Sequence, residues 1–278
     1  MMNTVKKYTN VALILWKRDL LHYWRNRIRA LVGLTMPMLW LFIFGGGMAS
    51  SLSGSSQSMT NGSGVDYIQF IFPGVIAMSL IFNAIFSALS TVKDKEFGFL
   101  KEILVAPVPR STIVIGRALG AASTSAIQGT LILILAPFIG VHLTLTMVVL
   151  LIPMIWLVAF ALTSIGMVMV SFFDNQEAFQ YVVNFVNMPM FFLSGALFPL
   201  GQVPAWMNPL VKLNPASYAV DGMRRIVLIN QDIPIDAINK LSFSVFNIYP
   251  TVLIDIGILV IFSVVLITIS AILFNRVP

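Results

Sequence analysis

The feature that most constrains this chain is a charged stretch that lies between two long uncharged runs. The runs cover residues 67–92 and 118–139, and each is long enough for a helix to cross a bilayer, which takes about 20 residues. The stretch between them, residues 93–110, carries both signs of charge. Two flanking spans would hold such a stretch at a membrane surface. The sequence therefore predicts a loop between two transmembrane helices.

The charged stretch has a helical pattern of its own. Phe97, Leu100 and Leu104 can share one face of a helix, and Pro107 and Pro109 stop that helix. A short amphipathic helix fixed between two spans is suited to docking onto a soluble partner. The alternative is an ordinary solvated loop whose charges only set the topology.

Composition supports a membrane protein and excludes several chemistries. Hydrophobic residues make up 58% of the chain and charged residues only 10%, whereas soluble domains average about 25% charged residues. Cysteine is absent and the two histidines, His22 and His142, are far apart, so we expect no thiolate or histidine metal site and no enzyme. The net charge of +6 does not indicate nucleic acid, because the basic residues lie where membrane topology favours them. The first apolar run, residues 11–15, is too short for a cleavable signal peptide.

We predict an all-α integral membrane protein in which residues 1–278 form one transmembrane domain with six transmembrane helices. The predicted spans cover residues 30–48, 67–92, 116–139, 143–173, 178–193 and 249–274. The third span opens with Gly116 and Gly120, a small-x-x-x-small pattern that lets helices approach closely in lipid. We therefore expect its small and polar residues to serve packing rather than a polar path.

Residues 4–29 have the pattern of an amphipathic helix that lies on the membrane surface. One face carries the cations and His22, and the opposite face carries the apolar and aromatic residues. The first face holds Lys7, Arg18, His22, Arg25 and Arg29, and the second holds Val5, Ala12, Trp16, Leu20 and Tyr23. An ordinary cytoplasmic tail is the alternative.

The segment before the last span cannot be one continuous helix. Residues 178–211 carry no charge, but Pro189, Pro199, Pro204 and Pro209 interrupt them. We predict a span that ends near residue 193, followed by a short re-entrant or interfacial unit, within an external segment of residues 194–247. The last span bears Asp255 near its outer end, where we expect an interfacial aspartate.

The basic residues predict the orientation of the six spans. Thirteen fall on one side and four on the other, and the side richer in cations is cytoplasmic. The thirteen are Lys6, Lys7, Lys17, Arg18, Arg25, Arg27, Arg29, Lys93, Lys95, Lys101, Arg110, Arg117 and Arg276, and the four are Lys212, Arg224, Arg225 and Lys240. Both termini and residues 93–110 are thereby predicted to be cytoplasmic.

Two stretches carry a resemblance to a known family, the type-2 ABC transporter permeases. The first resembles the cytoplasmic coupling helix of that family, and the second is similar to the signature before its last span. The first contributes Glu96, Phe97, Gly98, Phe99, Glu102, Pro107, Pro109 and Arg110 as candidate coupling residues; the second contributes Gly195, Pro199, Pro204, Trp206, Asn214, Pro215, Tyr218, Asp221 and Arg224 as a candidate external gate. The N-terminal pattern Trp24-Arg25-Asn26-Arg27 looks most like the daunorubicin-resistance type of efflux permease.

The resemblance implies a transport subunit that works with a separate ATPase. Such permeases form dimers, here a homodimer, and each copy binds one ABC ATPase subunit in the cytoplasmic membrane of a prokaryote. ATP and Mg are expected on that partner, since this chain lacks a G-x-x-x-x-G-K-[ST] phosphate loop and binds no cofactor itself. The resemblance implies export of a hydrophobic or amphipathic drug or lipid, or alternatively of a lipid-linked glycan. From another class, an ion-coupled secondary transporter would need intramembrane ionisable residues, for which Asp255 is the acidic candidate.

Overall fold

All secondary-structure elements in the described residues are helices. The computed structural model describes residues 2–25, 27–43, 67–99, 108–141, 143–231, 233–244 and 249–274. The α-helices are α1 (Met2–Arg25), α2 (Arg27–Trp40), α3 (Tyr67–Ser87), α4 (Leu89–Glu96), α5 (Arg110–Leu133), α6 (Leu145–Val170), α7 (Gln176–Phe192), α8 (Asn208–Leu213), α9 (Pro215–Ile229), α10 (Ile235–Leu241) and α11 (Val252–Phe274). Short 3₁₀ turns occupy Ala136–Ile139 and Leu200–Gln202. The predicted all-α class is confirmed.

Among the described residues, three stretches of helix are long and apolar enough to cross a membrane. They are Tyr67–Glu96, which combines α3 and α4, together with α6 and α11. Helices α2 and α7 are shorter, at 14 and 17 residues, while α5 has 24 residues but includes arginine, serine and threonine. The chain is thus a multi-pass membrane protein, and the count of six spans stays a prediction.

Helix α6 lies at the centre of the bundle and packs against α3, α5, α9 and α11. Small and hydroxyl side chains make these close contacts. Thr163 donates to the backbone carbonyl of Ala84 in α3, at 3.4 Å, and Ser270 of α11 donates to the carbonyl of Met167, at 3.0 Å. A Cβ on Gly166 would come within 2.9 Å of the Ile85 carbonyl oxygen, so glycine permits α3 to approach α6.

The glycines at the start of α5 do serve packing, as the sequence predicts, and their partner is α1. A Cβ on Gly116 would lie 3.0 Å from backbone atoms of Ala12, and one on Gly120 would lie 2.6 Å from Oδ2 of Asp19. Helix α1 therefore lies directly along α5. The small-x-x-x-small pattern therefore lets the N-terminal helix α1 pack closely on α5. It does not bring two membrane spans together.

This contact changes the expected role of the aromatic face of α1. The sequence places Trp16 at the depth of the lipid headgroups, but the structure packs it on α5, where its indole Nε1 donates to Ser123 at 2.9 Å. Leu15 and Tyr23 are also buried. The side of α1 that carries Trp16 and Tyr23 therefore faces the protein, while Ile14 and Trp24 remain exposed. The interfacial position of α1 stays a prediction.

The predicted interruption before the last span is confirmed. Helix α7 begins at an Asn175 cap, whose side chain accepts from the backbone of Glu177 at 2.7 Å, and it ends at Phe192. A turn follows in which Gly195 has a φ of +75°, a conformation that favours glycine. The chain then passes through the 3₁₀ turn Leu200–Gln202 into α8. The depth of this unit in the membrane stays a prediction.

Helix α9 lies within residues 194–247, the segment that the sequence predicts to be external. Every residue from Pro215 to Leu228 is buried, and the external location stays a prediction. The helix packs against α3, α6 and α11. Asn214 accepts from the backbone of Ala216 at 3.0 Å and Pro215 occupies the first turn, so the Asn-Pro pair starts a helix inside the bundle.

Candidate functional sites

The base of the charged stretch is tied to the turn between α6 and α7. Lys95 donates to the carbonyls of Val170 and Phe173, at 3.4 and 3.3 Å, and pairs with Asp174 at 2.7 Å. A cation at a helix C-terminus, as here at the end of α6, is favoured by the helix dipole. The contact fixes the end of α4 against the end of α6.

Glu96 makes the matching contact at the start of α7. Its Oε2 accepts from the backbone N–H of Gln176 at 3.2 Å and from its side-chain amide at 2.8 Å. A carboxylate at a helix N-terminus satisfies amides that the helix itself leaves unpaired. Glu96, a predicted docking residue, therefore has a partner within this chain.

The three residues after Glu96 form an exposed apolar tip. The Phe97 and Phe99 side chains are 66% and 54% exposed, respectively. Gly98 between them has a φ of +79°, and a Cβ there would meet no atom within 4 Å. We call Phe97, Gly98 and Phe99 the phenylalanine tip. Two aromatic rings held out beside a rigid helix end are suited to burial against another protein.

The rest of the predicted coupling stretch is only partly described. Leu100, Leu104, Glu102 and Pro107 lie outside the described residues, so the predicted amphipathic helix stays a prediction. Pro109 immediately precedes α5. Arg110 begins α5 and donates to the carbonyl of Phe274, at the end of α11, at 3.0 Å.

A four-residue charge network behind the tip joins α1, α4 and α5. Arg117, only 1% exposed, pairs with Asp94 and with Asp19, in the latter case at 3.2 Å; Arg18 also reaches Asp94, at 2.8 Å. We call Arg18, Asp19, Asp94 and Arg117 the tip-side network. Burial raises the pKa of Asp19 above its ordinary value, although Arg117 and Arg18 act in the opposite direction. No local pattern predicts the pairing of these charges, because Asp19 and Arg117 are 98 residues apart.

The signature residues at the start of α9 bind the C-terminal end of α7. The Asn214 amide donates to the Met190 carbonyl at 2.8 Å, and the Ser217 hydroxyl donates to the Leu193 carbonyl at 3.0 Å. Tyr218 donates to the Lys212 carbonyl at 2.8 Å. These bonds take up carbonyls that the end of a helix leaves unpaired.

Arg224 fixes the turn after α7 to the start of α3. Its guanidinium carbon lies 3.8 Å from the centre of the Phe70 ring, and its Nη2 donates to the Gly195 carbonyl at 2.7 Å. Gly74 lies beside the same turn, where a Cβ would clash with the carbonyl oxygen of Ala196. Gly195 and Arg224, both predicted from the signature, thus contact each other directly.

The remaining charges of α9, Asp221 and Arg225, are buried and form a second network. Arg225 Nε donates to Asp221 at 2.6 Å, Nη1 to Asn239 at 3.0 Å and Nη2 to Ser242 at 3.0 Å. The Ser242 hydroxyl also donates to Asp221. We call Asp221, Arg225, Asn239 and Ser242 the signature network.

Asp255 is buried within the bundle, and its interfacial depth stays a prediction. Its exposure is 0%, because α9 and α11 approach each other closely at Gly222. Other signature residues lie apart from the network. Pro199 precedes the 3₁₀ turn, and Pro204 and Trp206 are exposed, with Trp206 at 68%. Among the described residues, no group of three or more acidic or histidine side chains could hold a metal ion.

A groove of about 390 Å³ runs between α2, α3 and α7. Its lining is mainly apolar and aromatic, with Ser79 and Asn83 as polar members. The lining residues are Val32, Gly33, Met36, Pro37, Trp40, Met78, Ser79, Phe82, Asn83, Met188, Phe191 and Phe192. Such a mixture is typical of sites that take apolar ligands and orient them with a few polar groups.

This protein has the features of a membrane transport permease. Its helices are apolar and packed, α9 with its signature residues is buried, and the phenylalanine tip is exposed between two spans. The chain belongs to the ABC-2 type transporter family, whose model matches residues 11–228. It is 30% identical to "Putative transport permease ycf38" of Porphyra purpurea over 212 residues, which are 76% of this chain and 71% of that protein. It is 28% identical to "Inner membrane transport permease YadH" of Escherichia coli (strain K12) over 229 residues, 80% of this chain and 84% of that protein.

A third relative has a different kind of name. "Nodulation protein J" of Rhizobium meliloti (strain 1021) is 27% identical over 221 residues, which are 78% of this chain and 80% of that protein. Neither it nor the two permeases above is named as an enzyme. Membership of the family implies that this permease pairs with an ABC ATPase subunit. The daunorubicin-resistance subtype stays a prediction.

Proposed function

We propose that this chain is the transmembrane permease subunit of an ATP-driven exporter for a hydrophobic or amphipathic compound, a drug or a lipid. The groove between α2, α3 and α7 is the observation that carries the substrate class. Its apolar lining suits the hydrocarbon or ring system of such a compound, while Ser79 and Asn83 offer hydrogen bonds to a polar group.

The phenylalanine tip docks onto the ATPase subunit, where ATP and Mg are bound. The support is the exposure of both rings next to a helix end that Lys95 and Glu96 hold in place. A soluble loop has no reason to expose two phenylalanines side by side, whereas an interface core is enriched in aromatic residues. Phe97, Gly98 and Phe99 form the contact, and Glu96 positions it.

The contacts at the base of the tip would carry a movement of the ATPase into the bundle. Lys95 and Glu96 connect the tip to α6 and α7, and Asp94 connects it to α1 and α5. Helix α7 also forms one wall of the groove. Closure of two ATPase subunits on ATP would therefore displace α7 in each copy of a homodimer and change the groove.

The test is the ATPase activity of the reconstituted complex of this permease with its ATPase subunit. Hydrophobic compounds should stimulate ATP hydrolysis. Met36→Trp fills the groove, so it should raise several-fold the concentration of compound that gives half-maximal stimulation. Ile261→Trp is the matched control, because Ile261 is equally apolar and exposed but lies on α11. Absence of stimulation by any apolar compound, or equal effects of the two variants, would contradict the proposal.

The alternatives predict different substrates or a different energy source. Stimulation by a lipid-linked glycan but not by simple apolar compounds would favour glycan export. Uptake or release driven by an ion gradient without the ATPase subunit would favour a secondary transporter. The apolar lining of the groove and the membership of the ABC-2 family support the first reading.

A further inference from the structure

Asp255 is a buried acid whose carboxyl oxygens receive no hydrogen bond from a basic or neutral group that the structure describes. It lies in the first turn of α11 with 0% exposure, and it interacts with the carboxyl group of Asp221. The neighbouring helix is close, since a Cβ on Gly222 of α9 would lie 3.3 Å from the Cβ of Asp255 and 3.5 Å from its Oδ2. An ionised carboxylate in such a position carries a large desolvation cost unless a cation compensates it.

Arg225 is the cation that acts on Asp255, but it is shared with other partners. Helix α9 presents Tyr218, Asp221 and Arg225 to Asp255, and Met154 of α6 lies beside Gly222 at the same approach. All three nitrogen atoms of the Arg225 guanidinium donate elsewhere, to Asp221, Asn239 and Ser242. Arg224 is turned towards the Gly195 carbonyl.

Asp255 thus interacts with another acid, Asp221, which already pairs with Arg225. Two neighbouring carboxyl groups cannot both ionise at low cost, and they titrate as a pair. We propose that Asp255 and Asp221 form a proton-binding site in which Asp255 carries the proton while Asp221 stays paired with Arg225. This inference does not depend on the substrate or on the ATPase.

The signature network gives this site a connection to a polar cavity. The Ser242 hydroxyl donates to Asp221 and also lines a cavity of about 460 Å³ together with Asn208, Asn239 and Lys240. A proton enters when Ser242 accepts one from the cavity and passes its own to Asp221. Asp221 then gives it to Asp255, so that one proton is bound and the serine is restored.

Infrared spectroscopy of the purified chain in an ester-free detergent at neutral pH tests the proposal directly. A protonated carboxyl absorbs at a higher C=O frequency than an ionised one, and the band shifts in heavy water. We expect this band in the wild type, its loss in Asp255→Asn, and its retention in Asp236→Asn, an exposed acid of α10. No such band in the wild type, or the same band in Asp255→Asn, would overturn the proposal.

Two further measurements protect the test against a variant that fails to fold. Aspartate labelled with ¹³C in its side-chain carboxyl should shift the wild-type band, whereas labelled glutamate should leave it in place; the opposite result would exclude Asp255. Ser242→Ala should slow deuteration of the band several-fold. An unchanged rate would overturn the route through Ser242.

Discussion

The tip-side network and the signature network use the same pairs of residue types in different surroundings. In the first, the Arg18 side chain is 45% exposed and Asp94 is 18% exposed, so water reaches part of the network. In the second, the side chains of Arg225 and Asp221 are 5% and 4% exposed. The comparison teaches that burial, rather than the number of charges, decides how strongly each network resists the loss of one member.

The two networks also join different parts of the molecule. The tip-side network connects α1 and α5 to the base of the phenylalanine tip, where a partner would apply force. The signature network holds α9 and α10 together, within a core shared with α3, α6 and α11. We expect changes in the first to disturb coupling and changes in the second to disturb folding.

The largest effect is expected from Arg225→Met. The change leaves the Asp221 carboxylate buried without its cation and removes the donors to Asn239 and Ser242, so it should destabilise the chain by about 3–5 kcal/mol. Chemical unfolding in detergent measures this loss. The double variant Asp221→Leu with Arg225→Met should recover part of it, because no buried charge is left alone. A loss below about 1 kcal/mol for Arg225→Met would contradict burial of the Asp221–Arg225 pair.

A second comparison uses three glycines. At Gly74 a methyl group would clash with the backbone carbonyl of Ala196, so Gly74→Ala should destabilise by about 1–3 kcal/mol. Gly116→Ala should cost less, since its Cβ would lie 3.0 Å from Ala12 and α1 can shift. Gly257→Ala is the control in α11: nothing lies within 4 Å, and helix propensity favours alanine by up to about 1 kcal/mol. Unfolding midpoints of the three variants measure these effects. A different order of destabilisation from Gly74→Ala, Gly116→Ala, Gly257→Ala would argue against these contacts.

Arg117→Met tests the more exposed network. Asp19 and Asp94 lose their shared partner, and we expect a loss of about 1–3 kcal/mol because Arg18 and water still reach Asp94. Arg18→Met should cost only about 0–1 kcal/mol, as for an exposed ion pair. Equal losses from the two variants would mean that Arg117 is not the centre of the network. Unfolding free energies of both variants decide the matter.

The smallest effect on stability is expected at Glu96. Its contact with the start of α7 is worth about 0.3–1 kcal/mol, so Glu96→Ala should leave the chain folded. Binding of the ATPase subunit should weaken, and the weakening should be shared by Gln176→Ala if Glu96 acts by holding the tip. If Gln176→Ala binds normally while Glu96→Ala does not, Glu96 contacts the ATPase itself.

Much of the fold could be predicted from local patterns. The uncharged runs and the prolines of residues 178–211 are signals within a single element, and they correctly indicated an all-α bundle and the break after Phe192. The face of α1 could not be assigned, because an aromatic stripe suits lipid headgroups and a neighbouring helix equally well. Trp16 binds Ser123, which is 107 residues away.

The sites divide in the same way. Gly195 and Arg224 were found through their resemblance to a family signature, and the structure brings them into contact. Burial of α9 was not predicted because Asp221, Arg224 and Arg225 interrupt its apolar residues, which are Ala219, Val220, Met223, Ile226 and Val227. Asp255 was identified as an acid within a span, but its complete burial was not predicted, because that burial depends on a close approach of two helices at Gly222.

The phenylalanine tip belongs to neither network, and it gives the most direct test of how the ATPase drives this permease. Affinity capture of the ATPase subunit should be compared between the wild type, a Phe97→Ser and Phe99→Ser double variant, and a Phe138→Ser control, which removes a more exposed phenyl ring elsewhere. We expect the double variant to remain folded, with both networks intact, and to lose capture by about tenfold or more, since truncated interface anchors cost at least about 2 kcal/mol. The control should capture the ATPase normally. Normal capture by the double variant would contradict the claim that this permease is driven through the tip.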